Sequence, residues 1–154
     1  GGGLGVACSA DFRIATPTTR FQANFARLGL HHGFGLTVSL PRIVGHQTAS
    51  ELLLACAAVK GEEALQIGLC DGLASNEPAD DLITKARDFS AEIAAGAPLA
   101  LRSIRATIRG DLAEQVREAT DHEADEQMRL FGTDDFKEGV RATAERRPPN
   151  FTGT

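Results

Sequence analysis

Apolar residues in the second half of the chain recur at three- and four-residue steps. Between Pro78 and Pro98, Leu82, Ile83, Ala86, Phe89 and Ile93 fall on one face and predict an amphipathic helix. Pro98 restarts the pattern: Leu101, Ile104 and Ile108 share a face, and Arg102, Arg105 and Arg109 occupy the intervening positions. Those arginines are expected to form an exposed face or to pair with the acidic run that follows. That run, 111–131, predicts a long and mostly charged helix. A last helix is expected from a cap at Thr133 or Asp134 to just before Pro148.

The first half is more mixed. Gly1 to Ala10 reads as a glycine turn entering a short apolar helix, Asp11 to Ala15 alternates as a strand does, and Phe21 begins an extended stretch. His31 to Gly35, "HHGFG", is a loop with glycines that permit tight backbone. Leu36 to Gly45 predicts a helix stopped by glycine. "TASELLLACAAVKG" predicts another, with Thr48 as N-cap and Glu51 at capping-box spacing. A short helix closes at Gly68, and "LCDGLAS" is a strand or extended link. The order is therefore a glycine turn and short strands, then helices. So few strands make a poor parallel sheet by themselves, which leads to the expectation that further sequence precedes Gly1.

Composition narrows the class. At 154 residues, 42% hydrophobic and 24% charged, one globular domain is expected. A net charge of −5 argues against a general nucleic-acid binder. No apolar run approaches the roughly 20 residues of a membrane span. Cys8, Cys56 and Cys70 have neither disulfide nor zinc spacing, sit among apolar residues, and suggest buried thiols in a reducing, cytoplasmic compartment.

The opening "GGGLGVACSA" raises the chemical question. Glycine is used where backbone must be bare or bent. A dinucleotide fingerprint fails, because its third glycine would fall on Cys8 and no strand leads into it. Taken together, "GGGLGVACSADFRIAT", "RFQANFARLGLHHGFGLTVSLPRIVG", "ASELLLACAAVKGEEALQIGLCDGL" and "DFKEGVRATAERRPPNF" resemble the crotonase (enoyl-CoA hydratase/isomerase) superfamily. The resemblance runs over essentially the whole chain and matches about the last three-fifths of a typical member.

The resemblance implies an α/β fold: the C-terminal part of a ββα spiral in 1–75 with its active-site loops, and a helical region in 76–154 used for trimerisation. It also implies an acyl-CoA thioester as substrate, with coenzyme A part of that substrate and no separate cofactor or metal. Homotrimers or hexamers are implied, with no nucleic-acid or membrane partner. Two backbone N–H groups would grip the thioester oxygen and stabilise an enolate, and Gly2 matches one donor position. The other donor belongs to a segment upstream of Gly1. Arg146 matches a basic residue that holds coenzyme A phosphates, a task suited to a guanidinium, although Thr143 replaces an aromatic residue often found three positions before it.

The chain departs from the family where hydratases carry two glutamates for general acid–base chemistry. The matching positions are Gly5 and Phe25. Phe25 would instead line the substrate site. His31 and His32 lie in the loop where other members place a catalytic Asp, and histidine transfers protons near neutral pH. Three readings follow: an acyl-CoA-processing enzyme, a non-catalytic acyl-CoA-binding relative, or a thioester or C–C hydrolase using the His31/His32 loop. Of the remaining polar residues, Asp11 and Glu51 are expected to be structural. His122-Glu123 lacks the second histidine of a zinc-protease motif.

Overall fold

The computed structural model describes residues 1–78 and 80–154. Ala79, near the expected start of the first long amphipathic helix, lies outside them. The chain runs through α1 (Gly2–Ser9), β1 (Ile14–Ala15), β2 (Arg20–Gln22), a 3-10 turn at Ala26–Leu28, α2 (Leu36–Val44), α3 (His46–Leu54), β3 (Ala58–Lys60), α4 (Gly61–Gln66) and β4 (Gly72–Leu73). Four helices follow: α5 (Asp80–Ala94), α6 (Pro98–Arg109), α7 (Leu112–Phe131) and α8 (Asp134–Glu145).

The strands form two small ladders. β1 pairs in parallel with β4, Ile14 opposite Gly72, and β2 pairs antiparallel with β3, Phe21 opposite Val59. Arg13, just before β1, reinforces the first ladder. Its Nε donates to the Leu69 carbonyl at 2.8 Å, and its backbone N–H donates to the Asp71 carboxylate at 2.7 Å.

The core is α1, α2 and α3 packed over these ladders. Leu4 and Cys8 come from α1, Leu36 and Leu40 from α2, and Ala49, Leu52 and Leu53 from α3; Val59, Ala64 and Leu69 complete it. Leu36 and Leu40 are fully buried, worth roughly 1.5–3 kcal/mol each against an exposed side chain. α5 and α6 contribute no buried residue among those described. The three cysteines are free and buried.

Several expectations are corrected. α3 starts at His46 with Gly45 as N-cap, so Thr48 lies inside the helix and makes no capping box with Glu51. The helical run expected through Lys60 stops at Leu54, and Ala58–Lys60 is strand. β-Pairing with Arg20–Gln22 overrides local helix preference there. The strand expected over 11–15 shortens to Ile14–Ala15. Arg105 and Arg109 pair with Asp11 at the end of α1, both at 2.7 Å, rather than with α7. The Gly45 and Gly68 stops, Pro98 at the start of α6, and the Thr133 cap of α8 stand as read; Thr133 Oγ1 accepts from the Phe136 N–H at 3.1 Å.

Candidate active site

The candidate site is built on the first turn of α1. Gly2 is the first helical residue, so its N–H precedes the first acceptor of the intrahelical ladder. It has no hydrogen-bond partner among the described residues. The same turn carries the positive end of the helix dipole. Gly2 borders a cleft of about 710 Å³ shared with Leu4, Phe12, Arg20, Phe21 and Asn24. Gly1 is fixed across this cleft, its nitrogen donating to the Gln22 carbonyl.

Gly2 and Gly5 sit three residues apart and so share a helix face. Phe34 lies along that face. A Cβ at Gly5 would stand 2.3 Å from the Phe34 Cβ, and one at Gly2 would stand 2.8 Å from the ring's Cζ. The phenyl ring therefore runs down a groove that exists because both residues lack side chains. Gly3 meets nothing within 4 Å and carries no such constraint. Phe34 is held with φ of +65°, left-handed backbone that bulky residues avoid. Gly35 follows with φ of +65° and starts α2.

Two of the sequence-matched residues, Phe25 and His32, lie near this groove, and His31 turns to α7. The Phe25 ring packs on His32, centroids 5.5 Å apart and edge-on, and tilts toward Phe34 at 6.4 Å. His32 is buried and its Nε2 lies 3.0 Å from the Leu53 carbonyl. A carbonyl only accepts, so Nε2 carries the proton and the neutral ring presents a lone pair at Nδ1. That nitrogen is buried without a partner among the described residues. Burial holds the His32 pKa below the ordinary histidine value, against the opposing pull of the Leu53 carbonyl. His31 spends Nδ1 on the His32 carbonyl at 2.9 Å, which leaves Nε2 as its basic nitrogen. Its ring meets His122 of α7 edge-on at 5.8 Å, and Gln127 Nε2 donates to its carbonyl at 3.0 Å.

Arg146 lies apart, exposed at the C-cap of α8 with φ of +55°. It makes no ion pair among the described residues. Arg147 is engaged instead, bidentate on Glu138 at 2.6 and 2.9 Å and bound to Glu145 at 2.6 Å. Arg147 and the Asn150 N–H hold the Glu138 carboxyl down to about 2.

Sequence reading missed two residues that shape the site. One is Phe34, whose backbone conformation no local pattern announces. The other is Glu123, fully buried on α7, which accepts from the Gly35 N–H at 2.8 Å, the Thr37 N–H at 3.2 Å and Thr37 Oγ1 at 2.6 Å. It caps α2 from 86 to 88 residues away, so only tertiary structure reveals it. Among the described residues, no three His, Cys, Asp or Glu side chains converge as metal ligands would.

Comparison with known proteins identifies the family. The chain is 34% identical over 151 residues to a crotonyl-CoA hydratase from Syntrophomonas wolfei, covering 98% of this chain and 57% of that protein. It is 33% identical over 147 residues to a short-chain-enoyl-CoA hydratase from Clostridium acetobutylicum, covering 96% and 55%. The crystal structure of an enoyl-CoA hydratase/isomerase from Pseudoalteromonas atlantica superposes with a TM-score of 0.87 at 29% identity, over 99% of this chain and 60% of that one. The chain thus spans a little over half the length of these relatives. The enoyl-CoA hydratase/isomerase family profile matches residues 1–154. With the glycine turn at the head of α1, the shared fold and these identities, the chain belongs to the enoyl-CoA hydratase/isomerase family.

Proposed function

We propose that this chain forms part of an acyl-CoA-processing enzyme in which the Gly2 N–H polarises a thioester carbonyl and stabilises the enolate that follows. The observation that carries this reading is the Gly2 amide: a donor at a helix N-terminus, bordering a cleft, with no acceptor among the described residues. The second donor would come from a segment preceding Gly1. Short enoyl thioesters are the proposed substrate class, since two of the relatives are named for them. Coenzyme A enters as part of the substrate. Arg146, which makes no ion pair among the described residues while its neighbour Arg147 is engaged, would meet its phosphates.

In this reading residues 1–75 belong to the family's ββα spiral and the helices of 76–154 to its assembly region, in a homotrimer or hexamer. Apolar side chains left exposed on α6 support that assembly. Three buried free cysteines support a cytoplasmic location.

The paired carboxylates are absent. Gly5 cannot take a side chain while Phe34 stands beside it, and Phe25 packs on His32. His31 Nε2 is then the proton carrier we assign, with His32 behind it. Turnover is tested with the full-length protein and crotonyl-CoA by following loss of the conjugated thioester. Gly2→Pro removes the N–H at a helix position that tolerates proline, and Gly2→Ala adds a comparable Cβ while keeping the N–H. The Pro variant should fall on the order of 10²–10³ below the Ala variant. Equal rates would refute the oxyanion role.

A second reading, a thioester-binding relative without turnover, is favoured by one observation: Phe34 fills the space of the first missing carboxylate. Calorimetric binding of crotonyl-CoA without product would select it.

A further inference from the structure

Phe34 is an outlier twice over. Its backbone is left-handed, a state that strains a bulky residue and persists where surrounding structure enforces it. Its ring, although laid against α1, remains 55% exposed. A phenyl selected for the core would be covered. This one instead forms part of the wall of a second cleft of about 480 Å³, with Gly5, Ile43, Ile108 and Val116. Loop position alone does not explain the strain, because glycine could take the same conformation without it.

Two anchors enforce the conformation. Glu123 fixes the next residue by accepting the Gly35 N–H, and the Gly5–Gly2 face receives the side chain. Phe34 Cβ and Cγ lie over Gly5, and the far end of the ring lies over Gly2. The ring tip therefore stands next to the residue whose N–H faces the thioester in the proposed function. Phe34 lines the second cleft and not the one Gly2 borders, so a group that turns from the thioester carbonyl toward the Gly5 face of α1 is the one that would meet that tip.

We propose that Phe34 is the specificity-determining residue for the acyl group, excluding branching next to the thioester carbonyl, and that Phe34 and Gly5 form one steric unit. The acyl half of this rests on the thioester reading above; the steric half does not. The carboxylate position and the acyl wall are then alternatives for one volume. Either a side chain projects from residue 5 or a ring projects from residue 34.

The test has two arms on the full-length protein. In the first, thermal unfolding is followed for the parent, Gly5→Ala, Phe34→Gly and the double variant. Gly5→Ala should lower the midpoint by several degrees in the parent and not at all in the Phe34→Gly background, where both the opposing Cβ and the strain are gone. In the second, calorimetry compares butyryl-CoA with isobutyryl-CoA on the parent and on Phe34→Leu, which keeps the Cβ but retracts the ring tip. The parent should prefer the linear ester on the order of tenfold, and Phe34→Leu should lose most of that preference. Additive melting losses overturn the steric unit. A parent that binds both esters, with the same ranking in Phe34→Leu, overturns the specificity role alone. Binding of neither ester by any of these proteins overturns the thioester reading and the specificity role with it.

Discussion

His32 shows how a single side chain links burial, protonation and stability. Its Nε2–H is committed to the Leu53 carbonyl, and burial keeps its pKa below the ordinary 6.5. The folded state therefore resists a proton that the unfolded chain accepts. The stability that the neutral ring contributes is intact above pH 6.5, and it is lost as pH falls from there through the lower folded value. Thermal midpoints measured from pH 7.5 down to about 5 should fall in the parent. His32→Gln, which cannot titrate, should show a flatter profile in the same window. An unchanged slope would mean that the acid sensitivity lies elsewhere. The tautomer that makes His32 a buried base at Nδ1 is the same one that its structural hydrogen bond fixes.

At the level of elements, legibility followed the range of the interactions. α5, α6 and α8 were readable because their apolar spacing, proline start and threonine cap are local signals. β3 was not, because Ala58–Lys60 becomes strand through pairing with Arg20–Gln22, far away in sequence. Gly2, Gly5, Phe25 and the histidine loop were singled out through family motifs; the structure sets Gly2 and Gly5 on one face of α1, brings Phe25 and His32 together near Phe34, and leaves His31 against α7. Their mutual geometry was not readable, since it depends on the left-handed backbone at Phe34. Nor was Glu123, which the sequence offers only as part of a mostly charged helix and of a failed zinc-protease motif. It satisfies the first turn of α2 and thereby holds the Phe34–Gly35 corner. Glu123→Ala would leave the Gly35 N–H and the Thr37 donors short of their acceptor and should cost about 3 kcal/mol. Glu123→Gln, which keeps one acceptor oxygen, should cost about half as much. With no Trp or Tyr in the chain, urea titrations read by far-UV circular dichroism are the measurement. Equal losses for both variants would show that volume, not hydrogen bonding, is what Glu123 supplies.

For the molecule as a whole, the distribution of apolar surface is the decisive feature. Among the described residues the main apolar cluster lies in α1–α4 and their ladders, whereas α6 is amphipathic yet shows Ile104 and Ile108, one turn apart on one face, at 54% and 67% exposure. Asp11 holds Arg105 and Arg109, one step round the helix from Ile104 and Ile108, and so fixes which way α6 faces. A rigid helix presenting an apolar row is suited to burial against another copy, the assembly proposed above. Ile104→Asp places a charge in that row without touching the core. Light scattering on the full-length protein should then show the assembly falling to smaller species, and the far-UV circular dichroism spectrum should stay the same. Val6→Ala on α1, at 63% exposure, serves as a control that removes apolar surface outside the proposed assembly region and should leave the mass unchanged. If Ile104→Asp leaves the mass unchanged as well, α6 does not join copies.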